Sequence, residues 1–488
     1  MRKIYVLALC LLSLSLMGCG DDNSGYIPPA LDERPGDEPD EPGDDVVYNK
    51  PEFTPHVEGE PYDTYRGLVM AGYQGWFGAP GDGCSHGDQW YHYQENGMFE
   101  PGVLRNSIDF WPDMSEYDKQ YETDNFYYPD GKKATVYSAY DKSSVLLHFK
   151  WMKDYGLDGV FMQRFIGEVI DNPAGKDHFD KVLASAMEGS DTYQRAICVM
   201  YDLGGYTPER KRKVLYDAQD IYDKYASTRK YYLHEDGKPM LALWGVGFKA
   251  SERGYTNSDI QELVDALKGM GYSIMLGVTT YWRAGGGDTD ASDLANLHAL
   301  VKSANVIMPW FVGRYDRTGY PNFHSLIEQD VAWCRENGVE YAPLCHPGSS
   351  DRNMHPDNTV VPREGGGFYW DQIYQCVKSG AQMLYIAMFD EIDEGTAIYK
   401  CLNTSDVPGN EPPTDYYVVF QDGGYRLSAN MVEGLTGSDW CKKASELDVV
   451  FQGIEDGLPT DHYLWLTGQA RKMLHGEIPL SKTLPVRE

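Results

Sequence analysis

The pattern that most limits how this chain can fold is a short unit repeated along it: a helix, a glycine, then an apolar strand. Residues 144–155 read as a helix that stops at Gly156, and the apolar run 159–165 follows. Helix 258–268 stops near Gly269 and Gly271 before 273–281, and helix 292–303 precedes 305–313. Helix 324–336 stops near Gly338 before 340–346, and helix 370–378 stops near Gly380 before 383–389. Glycine just past a helix supplies the left-handed residue that ends it. Ser258 with Gln261 reads as a capping box, and Ile260, Leu263, Val264 and Leu267 mark the apolar face behind it. Three earlier apolar runs, 67–73, 195–202 and 239–245, bring the strands to eight, with a helix over about 208–226 between the last two. Strands apolar on both faces belong to a parallel sheet covered by helices. Eight such units predict an α/β fold, a (β/α)8 TIM barrel in a single large domain with loop insertions. The rival is an open doubly wound sheet, and the absence of a GxGxxG turn after the first strand favours the barrel. The 461–475 stretch reads as a last covering helix.

Residues 1–18 read as an export signal. Arg2 and Lys3 precede the apolar core Ile4–Leu16, which is too short to span a membrane. The segment ends in Leu16-Met17-Gly18-Cys19, which resembles a bacterial lipobox and implies lipidation of Cys19. Acyl chains would hold the protein on a membrane, the only membrane contact expected, since no later segment reads as a membrane helix. Residues 19–50 read as the lipidated cysteine and a tether. Between 20 and 45 there are ten acidic residues, one arginine and five prolines, a composition that buries no core. Asp21 and Asp22 resemble the surface-export signals of Bacteroides-type lipoproteins. The expected location is therefore the outer membrane of a Gram-negative bacterium, at the cell surface or on the periplasmic face. Residues 51–488 read as the catalytic domain.

The formal charge of −31 disfavours nucleic acid and anionic glycans as partners. A neutral oligo- or polysaccharide is the easier partner, and 37 tyrosines and 11 tryptophans suit sugar faces. Nine cysteines with no CxxC argue against a zinc cluster or a disulfide framework, although one or two isolated disulfides fit.

In a barrel the C-terminal ends of all strands face one site. Those ends supply Tyr73 and Trp76, with Trp90 and His92 in the loop beyond. They also supply Gln163 and Arg164, Tyr201 and Asp202, Trp244, Tyr281 and Trp282, Trp310 and Tyr315, and His346 with Arg352. Aromatic faces among amide, guanidinium and carboxylate groups are how a sugar site is built. His86 and His92 with Asp88 do not have a recognised metal-ligand spacing, and no HExxH occurs. No GxSxG elbow occurs, and Cys345 and His346, being adjacent on a strand, point to opposite faces. The eighth strand runs into Asp390, Glu391, Asp393 and Glu394, followed by Gly395–Thr396. Crowded acids resist simultaneous ionisation, so one keeps its proton while its neighbour is charged, the division of labour that glycoside cleavage needs. A solvated acidic loop is the plain alternative.

The run Phe389-Asp390-Glu391-Ile392-Asp393-Glu394-Gly395-Thr396-Ala397-Ile398 resembles the FNEWHEGTQIEP segment of glycoside hydrolase family 99. AGYQGWFGAP at 71–80 resembles that family's YYPWYG-type first-strand segment, HPGSSDRN at 346–353 its PGYDDTR segment, and REGGGFYW at 363–370 its R-G-FY-W segment. The chain thus resembles a bacterial member of the loosely joined family 71/99-like glycosidases. The resemblance implies a retaining, endo-acting α-glycosidase with no metal cofactor. By motif position Glu391 is the base on the sugar 2-hydroxyl, and Glu394 is the general acid and then the base for water. The family's Trp-His between the two acids is Ile392–Asp393 here, its Gln-Ile-Glu-Pro ending becomes Ala397–Ile398–Tyr399, and its HIEPY segment is replaced by Met200-Tyr201-Asp202-Leu203. These departures leave a pentose, glucose or galactose unit as open as mannose. The reading from another class is a non-catalytic cell-surface glycan-binding lipoprotein.

Overall fold

A computed structural model describes residues 52–409, 416–447 and 451–487. The expected signal, Cys19 and the tether lie outside the described residues. The parallel strands are Val69–Tyr73 (β1), Gly159–Phe165 (β2), Ala196–Asp202 (β3), Lys238–Val246 (β4), Ser273–Val278 (β5), Val306–Pro309 (β6), Glu340–Tyr341 (β7), Leu344–Cys345 (β8) and Leu384–Ile386 (β9). Their hydrogen-bonded order is β7-β6-β5-β4-β3-β2-β1-β9-β8. The two ends of that order are neighbours in the chain. Ala342 N donates to Ile307 O on β6 (2.8 Å), and Tyr385 N on β9 donates to Pro343 O (3.0 Å). The sheet therefore meets itself and closes, with its seventh position broken at Pro343, which has no N–H for a ladder.

Among the described residues, eight helices of ten or more residues alternate with these strands: Lys142–Tyr155 (α1), Pro173–Tyr193 (α2), Lys211–Ile221 (α3), Asn257–Met270 (α4), Leu294–Ser303 (α5), His324–Asn337 (α6), Gly367–Lys378 (α7) and His462–Leu474 (α8). The fold is a (β/α)8 barrel. Gly156, Gly271 and Gly338 stop α1, α4 and α6 in the left-handed conformation (φ 83°, 109° and 70°). The capping box of α4 lies two residues before the expected one: Thr256 and Asp259 exchange the bonds, because Asp259 Oδ2 reaches back to Thr256 N at 2.8 Å. α2 has no counterpart among the expected helices. The ring closes where Arg471 on α8 pairs with buried Asp158 (2.8 Å), which also accepts from Val69 N (2.9 Å) at the start of β1.

Two insertions extend the C-terminal end of the barrel. Residues 74–141, between β1 and α1, carry a hairpin (Tyr121–Tyr127 with Lys133–Val136). Beyond β9 a three-stranded antiparallel sheet forms from Tyr417–Gln421, Gly424–Ser428 and Trp440–Lys443. Val103 and Leu104 of the first insertion pack against Tyr416, Val418 and Ala444 of the second. Among the described residues all seven cysteines are free, so no isolated disulfide forms there. No described helix is long and apolar enough to cross a membrane.

Candidate active site

Strand register decides which side chains reach the site. Arg164 and Tyr201 are paired across β2 and β3, and the next row joins Phe165, Asp202, Trp244 and Gly277. Side chains of one row share a face, and a step of one residue flips it. The Arg164 row faces the helices. Arg164 forks onto Asp217 of α3 (2.5 and 2.6 Å) and reaches Asp180 of α2 (2.8 Å), while the Tyr201 hydroxyl donates to the same Asp217 (2.6 Å). Arg164 and Tyr201 are therefore structural, contrary to the expectation that they touch substrate. Tyr73 is corrected likewise: its hydroxyl bonds His148 Nδ1 on α1 (2.8 Å), and its ring stacks on Phe389. Trp282 is buried beside α6, with Nε1 donating to Asp330 (3.1 Å). Tyr315 and His346 are buried over the start of α7, where Gln372 Oε1 accepts from Tyr315 Oη and from His346 N (3.3 and 3.2 Å).

The remaining expected residues lie in the inner row or in the loops beyond it. Trp76 is sandwiched between His92 (ring centroids 4.2 Å apart, nearly parallel) and Phe165 (4.9 Å). Trp244 meets Trp310 edge-on at 5.2 Å, and Arg253 caps the Trp244 ring. Asp202, Trp244, Trp90, His92, Tyr281 and Arg352 are half-exposed. Gln163 points inward and donates to the Met200 sulfur (3.1 Å) and to Tyr385 Oη (3.4 Å).

The four acids after β9 divide into distinct environments. Asp390 is fully buried and accepts from the backbone N–H groups of Gln74 (2.7 Å) and Gly75 (2.9 Å), so it anchors the loop after β1. Burial pushes its carboxyl up to about 7, against the pull of those two bonds. Glu391 is also fully buried. One oxygen accepts from the Gln74 side-chain amide, and Oε1 has no partner. Asp393 is buried, with Oδ1 unpartnered, and burial and then the Glu394 charge hold it well above the usual carboxylate range. Glu394 alone of the four is half-exposed. Burial, then the charges of Asp351 and Asp202, push it up to about 7. A buried carboxylate oxygen without a donor is costly, and groups so perturbed concentrate where chemistry is done.

Two residues outside the expected site set hold this turn. Asp109 is fully buried and accepts from Ser350 Oγ, Arg352 N (2.9 Å) and Asn353 N (3.0 Å), while Ser350 N donates to Glu394 O (2.9 Å). Arg363 donates to Gly395 O (2.9 Å) and Ala397 O (2.8 Å), with its guanidinium lying over Phe110 and Tyr463. No local spacing marks Asp109, whose partners lie more than 240 positions away. Arg363 stands in the R-G-FY-W-like segment, which was a usable signal.

No family model and no curated protein matches the sequence. Solved structures do. One is the GH99 endo-alpha-mannosidase from Bacteroides thetaiotaomicron, with a TM-score of 0.54 and 14% identity over 85% of this chain and 99% of that one. The same enzyme in complex with bis-tris-propane gives a TM-score of 0.53 and 15% identity over the same shares. At that identity the likeness carries the fold: this chain is built on the barrel that the mannosidase uses.

Proposed function

We propose that the chain is a glycoside hydrolase that cleaves α-linked bonds of a neutral glycan with retention, using Glu391 and Glu394. One observation carries the reading: two glutamates of a single turn sit in contrasting surroundings at the C-terminal ends of the strands. Glu391 is sealed in with one free oxygen, and Glu394 is half-exposed with its carboxyl pushed up to about 7. In the proposed reaction Glu391 takes the proton of the sugar 2-hydroxyl, and that oxygen attacks C1. Glu394 protonates the departing glycosidic oxygen, leaving a 1,2-anhydro sugar. Glu394, now ionised, then takes a proton from water, whose oxygen opens the ring at C1, and Glu391 returns its proton to O2. Two displacements at one carbon give net retention.

The fold shared with an endo-alpha-mannosidase supports the α-linkage. Ile392–Asp393 and Asp202 stand where the family's motifs have other residues, so the sugar need not be mannose. The acidic chain favours a neutral substrate. Lipidation of Cys19 and display on the outer membrane belong to the same proposal. A Cys19→Ser variant should leave the membrane fraction.

The test is a panel of plant and fungal polysaccharides, with anomers followed by NMR from the first turnover. The first product should keep the α configuration. Glu394→Ala should abolish turnover and leave ligand affinity within about tenfold of wild type, because the chemistry and not the stacking surface is removed. Binding with no turnover of any α-linked glycan would select the glycan-capture reading instead, and an unsaturated product would select a lyase.

A further inference from the structure

Away from the four acids, the loop after β1 and helix α2 bring Cys84, His86 and His178 together. Their ligating atoms all lie within 4.8 Å of one another. Cys84 Sγ and His178 Nδ1 are 3.7 Å apart. Two ligands of one tetrahedral zinc, with bonds of about 2.3 Å to sulfur and about 2.0 Å to nitrogen, stand roughly 3.6 Å apart. His86 Nε2 is buried without a hydrogen-bond partner, and its ring is held by stacking on Tyr91 at 3.7 Å.

The surroundings are built as metal sites are built. His178 Nε2 lies 2.9 Å from Gly75 O. A carbonyl accepts only an N–H, so the proton is on Nε2 and the Nδ1 lone pair faces the thiol. Metal-bound histidines are oriented by such a bond to a carbonyl. Asp82 folds the ligand loop by accepting from Ala79 N (3.1 Å), Cys84 N (2.7 Å) and Ser138 Oγ (2.7 Å). Asp177, next to His178, accepts from Ser85 N (3.2 Å) and Ser85 Oγ (2.6 Å), which ties that loop to α2.

We propose that Cys84, His86 and His178 bind a zinc ion. Binding displaces the Cys84 thiol proton to solvent and leaves both imidazoles neutral. One thiolate and two imidazoles suit zinc far better than magnesium or calcium. The histidine and acid that the sequence offered beside His86 are not part of it: His92 is stacked on Trp76, and Asp88 is exposed. The ion's role is structural. His178 holds the Gly75 carbonyl, and Asp390 holds the Gly75 N–H, so the metal braces the turn from which Gln74 reaches Glu391. The inference does not depend on the hydrolase reading.

The test is to load the purified full chain with zinc and dialyse it into metal-free buffer. Wild type should retain about one zinc per chain by elemental analysis, and cobalt in its place should give a thiolate-to-cobalt charge-transfer band. Cys84→Ser and His178→Gln should each retain less than about a tenth of that metal, while Asp88→Asn retains all of it. The proposal is overturned if folded wild type keeps no zinc and shows no cobalt band, or if Cys84→Ser and His178→Gln hold metal as wild type does. Should neither variant fold, the wild-type zinc content and cobalt band decide.

Discussion

Two charged clusters lie on the two sides of β2 and β3 and are built on opposite principles. On the helix side of β2 and β3, Arg164, Lys176, Asp180, Asp217 and Tyr201 form a closed set in which every charge has a partner. Burial works against the ionisation of Asp217, yet the Arg164 guanidinium outweighs it and holds that carboxyl well below its usual range. On the inner side, Asp202, Glu391, Asp393 and Glu394 have no arginine or lysine in hydrogen-bonded contact among the described residues, and Glu394 and Asp393 are shifted upward. Paired charge fastens helices to strands. Acid without a cation partner is held toward its protonated form, as a general acid would need. The difference teaches that burial of a charged residue says little about function until its partners are counted.

The comparison is broken most severely by acting on each cluster in turn. Glu391→Gln, which removes the base, should lower turnover by about 100- to 10,000-fold without destabilising the fold, checked by kinetics alongside urea unfolding. Arg164→Ala should do the reverse. It takes the forked partner from buried Asp217, leaving only Lys176 and Tyr201 on that carboxylate, and should cost about 3 kcal/mol in urea unfolding. Equal effects of both substitutions on stability would erase the distinction.

pH sharpens the same contrast. The folded-state value of Glu394, about 7, lies above its ordinary value. Its contribution to stability is therefore fully present below the ordinary value and is lost as pH rises through 7. Asp217, held low, contributes above its ordinary value and loses that contribution as pH falls. Measured against wild type at each pH, Glu394→Gln should gain relative stability from pH 5 to 8. Asp217→Asn should lose it as pH rises through about 4. Taking differences removes the buried histidines, such as His148 and His346, which burial shifts the opposite way. The aromatic residues give the smallest effects. Trp244→Ala should raise KM about tenfold with little change in stability. Trp282→Phe should leave KM alone and cost about 1 kcal/mol through the lost bond to Asp330.

The barrel was legible because each of its strand positions carries an apolar run and several helices end at glycine. α2 escaped notice because Gly175 and Gly189 interrupt it and its buried face mixes Ser185, Ser190 and His178 with its apolar residues. The acids after β9 could be read because all four fall within one turn. The residues around them were harder. Gln163 and Arg164 are adjacent, and only the register with Met200 and Tyr201 shows that the first faces inward and the second faces α3. Trp282 and Tyr73 were placed in the site for the same reason, as residues near a strand end whose outward direction a composition of aromatics does not reveal. Asp109 and the Cys84–His178 contact depend on packing between distant segments, and no local spacing encodes that.

Burial, then the charges of Asp351 and Asp202, raise the carboxyl of half-exposed Glu394 to about 7. A carbon-13 NMR titration of glutamate side-chain carboxyls, with Glu394 assigned by its loss in Glu394→Gln, measures this without any substrate. The midpoint should lie near 7 and move down in Asp202→Asn. A midpoint at the ordinary glutamate value of about 4.3, unmoved by that substitution, would contradict it.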